Sequence, residues 1–212
     1  MMKKKFVSAL LRPLALAGAT FFAGGCITGS SQAPETFFLS PLAEETSPKA
    51  DFLQGRSFHV GQTEIPSFLE GKRIASRISP TQLDYSDFHL WSETLDLGVS
   101  RVVANNLANT LGTLHFSYTP NRPRSNNQVQ VFITVEEFAK DPAGQIILKG
   151  TWRLLLGRKQ VFVLPLNESV AVEGDGHDAM VKAMNSVLLK VSDQLASRLV
   201  KHFNTSSSPA TP

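Results

Sequence analysis

The sequence predicts an α/β fold in which a largely antiparallel sheet carries two main amphipathic helices packed on it. Three observations lead there. Phe88, Trp91, Leu95, Val99, Val102, Leu107 and Leu111 recur at three-, four- and five-residue steps, the spacing of one helix face. Met180, Met184, Val187, Leu188, Val191, Leu195 and Leu199 repeat the pattern over more than five turns near the end of the chain. Between them, Val129, Val131, Ile133 and Val135 alternate with Gln128, Gln130, Phe132 and Thr134, the period of a half-buried strand.

Taken in order, Phe37-Phe38-Leu39 is a short strand stopped by Pro41, and residues 42–55, with Pro48 and several charges, read as loop. Arg56 to Ile65 alternates loosely and predicts a strand ending before Pro66, after which Pro66 to Glu70 makes a turn or a single helical turn. Lys72 to Ile78 places Ile74 and Ile78 on one face and predicts a half-buried strand, with Leu83 to Phe88 as its hairpin return. The first helix then follows from Phe88, capped by Ser86 or Asp87 and closed by Gly112. Its apolar stripe is the side expected to pack on the sheet.

Tyr118 to Asn127 is dense in turn formers and reads as loop. Asp141-Pro142-Ala143-Gly144 signals a type I turn, so Gln128–Glu136 and Gln145–Leu156 are expected to pair antiparallel. Gln160 to Val172 is another apolar strand, expected to bend at Pro165, because proline cannot donate to an interior ladder. Gly174-Asp175-Gly176 turns the chain into the last helix, with Asp175 or Asp178 at its positive end. Asn204 to Pro212 is a Ser/Thr/Pro tail of the composition that stays disordered. No internal repeat is evident.

The N-terminal segment has its own chemistry. Lys3, Lys4 and Lys5 precede the mostly apolar run Phe6–Phe22, and small residues Ala23, Gly24 and Gly25 lead to Cys26, the single cysteine of the chain. A membrane-spanning helix needs about 20 uninterrupted apolar residues, and Arg12-Pro13 breaks this run. A lone thiol in an exported protein is an unpaired liability unless it is modified. The segment resembles the bacterial lipobox, with Ala23 where leucine is usual. That resemblance implies a signal peptide over residues 1–25, cleavage between Gly25 and Cys26, a thioether-linked diacylglycerol on Cys26 and a further acyl chain, of the palmitate kind, on its new amino terminus. Two or three such chains anchor stably where one binds marginally. Ile27 follows the cysteine, and the aspartate that retains enteric lipoproteins in the inner membrane is missing, so the analogy points to the outer membrane. Residues 26–36 form a Gly/Ser/Gln/Pro-rich tether. Ten such residues reach at most about 35 Å.

The formal charge of +3 belongs to the leader. Without Lys3, Lys4, Lys5 and Arg12, the remaining chain carries seventeen basic against eighteen acidic side chains, and no argument for nucleic acid survives. Its length suits one domain, expected over residues 37–203.

The sequence carries no recognisable catalytic motif. His59, His89, His115, His177 and His202 show no metal-ligand spacing, and there is no G-x-S-x-G elbow or Walker A sequence. Gly174-Asp175-Gly176-His177-Asp178 brings His and Asp together, but a glycine turn with a capping aspartate is the commoner meaning of such a cluster. Trp91 and Trp152 read as packing residues, with Trp152 kept in reserve as an interface residue. Neither catalytic residues, cofactors nor metals are expected.

The order of pieces is informative as a whole. It comprises Phe37-Phe38-Leu39; "V-G-x-x-x-I-P-x-F-L-x-x-x-R-I" from Val60 to Ile74; "L-x-x-x-x-F-x-x-W-x-E-x-L" from Leu83 to Leu95; Ala104-Asn105-Asn106-Leu107; "V-x-V-x-I-T-V-E-E-F" from Val129 to Phe138; "L-K-G-T-W-R-L" from Leu148 to Leu154; and "D-A-M-V-K-A-M-N-S-V-L" from Asp178 to Leu188. Together these resemble the ABC-type transport auxiliary lipoprotein family. The resemblance implies an α/β sandwich with a mixed sheet, no enzymatic activity and an outer-membrane lipoprotein facing the periplasm. It also implies work with an ABC transporter and MCE-domain proteins in intermembrane transport of phospholipid or other hydrophobic compounds, and assembly of some members into homo-oligomeric rings. A lipid-binding carrier or envelope hydrolase with an internal apolar cavity, and a purely structural envelope lipoprotein, stand beside it as alternatives.

Overall fold

The computed structural model describes residues 33–44, 53, 55–121 and 128–206. Gly25, Cys26 and the rest of the expected signal peptide lie outside the described residues, as do residues 122–127 of the polar loop. The described residues form one compact unit from Ala33 onward.

Its frame is an antiparallel meander of β6 (Val129–Lys140), β7 (Gln145–Leu156) and β8 (Lys159–Ala171), registered from Val129 opposite Leu156 and from Gln145 opposite Ala171. The other edge of β6 is shared. β2 (Phe58–Val60) pairs with its start in parallel, Phe58 opposite Val129, and β3 (Arg73–Ser79) meets its end, Ser76 opposite Lys140. β5 (Phe116–Tyr118) adds in parallel to β2, β4 (Gln82–Trp91) returns antiparallel to β3, and β1 (Glu35–Phe37) lies parallel to β4. The result is a mixed eight-stranded sheet whose long ladders are antiparallel. A single 3-10 turn, Ser67–Leu69, sits between β2 and β3.

The alternation seen in the sequence is the burial pattern of the sheet. Val129, Val131, Ile133 and Val135 of β6 and Ile146, Leu148, Trp152 and Leu154 of β7 are buried, and they share one core with α1 (Leu95–Leu111) and α2 (Gly176–Ser206). Every member of the predicted α2 stripe from Met180 to Leu199 is buried there. Trp152 meets Phe162 edge-on at 4.9 Å between ring centroids, the geometry favoured by aromatic quadrupoles.

Several expectations change. The first helix starts at Leu95, not Phe88, and its N-cap position is Thr94 rather than Ser86 or Asp87. Phe88 and Trp91 belong to β4, where the Trp91 amide donates to Lys72 and the Ser92 amide to Phe37. A long strand held on both edges overrides the helical spacing, which continues by coincidence across a register shift between Arg73 and Ala75. At the far end, Gly112 closes α1 in the left-handed conformation with φ 62°, as its position predicts. Pro165 stands in a continuous β8, opposite Thr151. Among the described residues β8 pairs only with β7, so a missing amide on its outer side costs no ladder bond. The outer-edge carbonyl of Ser169 accepts from Lys190 Nζ of α2 at 3.2 Å. β1 begins two residues before the predicted strand, β5 forms where no strand was expected, and α2 continues to Ser206, into the predicted tail.

Candidate functional site

Two places gather polar side chains that the core does not account for. The first is a cleft of about 730 Å³ between the chain leaving β2, the start of α1 and the exposed face of β6 and β7. Gly61 lies against Phe132, one of the residues that line it. The Gly61 amide donates to the Val131 carbonyl at 2.8 Å, and any Cβ at that position would be driven into the Phe132 ring. The Phe132 ring therefore rests against bare backbone, and the Arg153 guanidinium sits over it at 5.2 Å from the ring centroid.

Carboxylates flank this stack. Glu64 accepts from Thr134 Oγ1 at 3.0 Å and faces Arg153 Nη2 at 3.5 Å. Asp96, in the first turn of α1, accepts from Gln62 Nε2 at 2.7 Å. Burial alone would raise the Asp96 pKa, but hydrogen bonds from Thr94, Gln62 and the Leu97 amide outweigh it and hold the carboxyl below the usual range. Below the rim, the Thr63 amide donates to Ser100 Oγ at 2.9 Å, and Ser100 hydroxyl donates to the Asp96 carbonyl at 2.8 Å. Six of the residues lining the cleft, among them Gln62, Glu64 and Glu70, come from the stretch that carries the Val60–Ile74 motif.

The second place is the start of α2. His177 stacks on His89 of β4 with ring centroids 3.7 Å apart and planes 12° from parallel, and Phe37 of β1 leans on both rings at 6.0 and 6.2 Å. Ser86 Oγ sits 2.7 Å from His89 Nδ1, and Glu35 Oε2 lies 3.9 Å from His89 Nε2. Burial first, then the His89 and Lys140 charges, push the His177 pKa down, against smaller upward pulls from Glu35 and Asp84. The glycines on either side of Asp175 take positive φ, 94° at Gly174 and 82° at Gly176, as a turn into the helix requires. Asp178 of the same cluster pairs with Lys182 at 2.6 Å.

The remaining candidates are dispersed. His59 is buried in β2 with Nδ1 2.9 Å from Ser117 Oγ, and burial lowers its pKa. His115 is exposed before β5, and His202 packs edge-on against Phe162 and Phe203. Among the described residues no three His, Cys, Asp or Glu side chains could hold one metal ion. Trp91 and Trp152 are 4% and 3% exposed, so both serve the core, and the Trp152 reserve for an interface is withdrawn. Sequence reasoning missed the cleft and the histidine pair. An isolated Gly61 inside an alternating run was the available signal for a close approach.

A family model described as ABC-type transport auxiliary lipoprotein component matches residues 37–196. The chain belongs to this family. Within it, the chain is 23% identical over 181 residues to the intermembrane transport lipoprotein PqiC of Escherichia coli (strain K12), covering 85% of this chain and 94% of that one. The same figures hold for PqiC of Shigella flexneri. The fold has counterparts among solved structures. A crystal structure of an uncharacterized protein aligns with TM-score 0.66 and 21% identity, over 79% of this chain and 99% of that one. A crystal structure of a Xanthomonas campestris protein aligns with TM-score 0.60 and 16% identity, over 82% and 100%. As an ABC-type transport auxiliary lipoprotein, the chain is an auxiliary component of a transport system of the cell envelope, and its family is not a known enzyme family. No described helix is long and apolar enough to cross a membrane.

Proposed function

We propose that this auxiliary lipoprotein is anchored through acyl chains on Cys26 to the periplasmic side of the outer membrane. There it docks the distal end of an ABC/MCE-type system that moves phospholipid or another hydrophobic compound between membranes. The observation that carries the reading is the family match over most of the body together with the relatives named as intermembrane transport lipoproteins. A homo-oligomeric ring belongs to the same proposal, since a docking component in a closed ring would surround a conduit.

The described body supports docking over carriage of lipid. Its core between sheet and helices is filled by large side chains such as Phe58, Phe138, Met184 and Leu188. The 730 Å³ cleft is lined by Glu64, Glu70, Asp96 and Arg153, a poor host for an acyl chain, because an alkyl group there would displace water from charges without replacing its hydrogen bonds.

Crosslinking of the membrane-localised protein in cells tests the partners. Capture of an MCE-domain protein or ABC transporter component is the expected result; capture of cell-wall components or of itself alone would leave a structural envelope lipoprotein. Fractionation tests the anchor. Cys26→Ser should move the protein from the membrane fraction to the soluble one, and retention of the variant in the outer membrane would refute an acyl anchor at that residue.

A further inference from the structure

The histidine pair joins three elements that are remote in sequence. His177 opens α2, His89 stands near the end of β4, and Glu35 and Phe37 come from β1, which among the described residues pairs only with β4. Downstream of β1 the chain is pinned independently of these rings. Asn185 Oδ1 accepts the Ser40 amide, Asn106 Oδ1 accepts the Leu42 and Ala43 amides, and Arg101 Nη2 donates to the Leu39 carbonyl. β1 is laddered to β4, and the rings tie that strand pair to the first turn of α2.

We infer that the His89–His177 stack is a proton-operated latch, closed while at most one ring is charged and opened when both are. The surroundings treat the two rings unequally. His89 has Glu35 Oε2 3.9 Å from one ring nitrogen and Ser86 Oγ 2.7 Å from the other, whereas no carboxylate pairs with His177 among the described ion pairs. A singly charged stack is tolerated, because a cation over a neutral π face is attracted.

A second proton, on His177, meets opposition from several directions. The ring is partly removed from water, it faces the charged His89 at 3.7 Å, Lys140 of β6 adds a like charge, and the α2 N-terminus presents the positive end of its dipole. Only Glu35 and Asp84 favour the charge, while Asp178 on the helix is engaged by Lys182. The linkage sign follows: a His177 pKa below the ordinary value means that the open form binds the second proton more tightly. The closed form is therefore favoured above the ordinary histidine value and loses that advantage as pH falls through the depressed one. Because β1 follows the segment read as a tether, its release would lengthen the anchor's reach by roughly 10 Å. That consequence rests on the anchor proposal; the latch does not.

Amide hydrogen exchange on the full chain in detergent micelles, at pH about 7.5 and about 5, corrected for intrinsic exchange, reads the latch directly. Over the interval where His177 titrates, exchange in β1 and the first two turns of α2 should accelerate by up to about tenfold per pH unit, while β6 and β7 stay protected. His177→Phe keeps a ring in the stack without the second charge and should remain protected at both pH values. If it misfolds, His89→Phe serves, since either change leaves at most one charge. Equal wild-type protection at the two pH values, or an unchanged acid response in a folded Phe variant, would overturn the latch. Neither readout depends on Cys26 or on any transport partner, so the anchor proposal stands or falls separately.

Discussion

Gly61→Ala is the sharpest test of the cleft's construction. Gly61 does not need a left-handed backbone, so the substitution introduces one methyl group and no dihedral strain. That methyl has one close obstacle, the Phe132 ring, over which Arg153 also packs. Overpacking of this kind costs about 1–3 kcal/mol. Removing the obstacle should remove the penalty: in a Phe132→Ala background the same Gly61→Ala change should be neutral or stabilising by about 0.4–1 kcal/mol, through reduced freedom of the unfolded chain. The double-mutant cycle should thus show a coupling of at least about 1 kcal/mol between the two positions, well above the ~0.5 kcal/mol expected of independent sites. Urea unfolding of the four purified proteins, with a shared m-value, measures it. Additivity, or a Gly61→Ala penalty that persists without the ring, would mean that Phe132 does not rest on Gly61.

Asn106 is fully buried while its Oδ1 accepts two loop amides, so Asn106→Leu should destabilise by about 1–3 kcal/mol or more and raise exchange at Leu42 and Ala43. Trp152→Ala empties a buried site against Phe162 and should cost about 3–5 kcal/mol in the same urea assay. Burial lowers the pKa of His59 and is the first cause of the lowering at His177, so folding stability should be highest above the ordinary histidine value and decline as pH falls through the depressed pKa values. Urea midpoints from pH about 8 to about 5 check the sign, and a flat profile would show that neither histidine is linked to folding.

Much of the body was legible because its strands and helices bury one face each. The β6 alternation, the β7 partner face with Trp152 and the α2 stripe from Met180 to Leu199 all needed nothing beyond period and polarity. Reading failed where pairing overrides period. Phe88-x-x-Trp91-x-x-x-Leu95 has helical spacing, yet its first two residues lie in a strand because β1 and β3 offer hydrogen bonds on both edges. Asn106 and Ser100 point the same way. Both are polar and both are fully buried on α1, where each has partners supplied by segments far away in the chain, Leu42 and Ala43 for one and Thr63 for the other.

The candidate sites divide along the same line. Local order along the chain determined most of the elements, the family likeness and the resemblance to a lipobox around Cys26, because period, turn chemistry and short motifs are properties of neighbouring residues. The tertiary structure alone decided that Gly61 lies under Phe132 and that His177 meets His89. A contact between residues far apart in sequence leaves no periodic trace; it arises when the sheet closes on β6 and α2 starts beside β4, and a short chain segment carries no record of where that closure will place it.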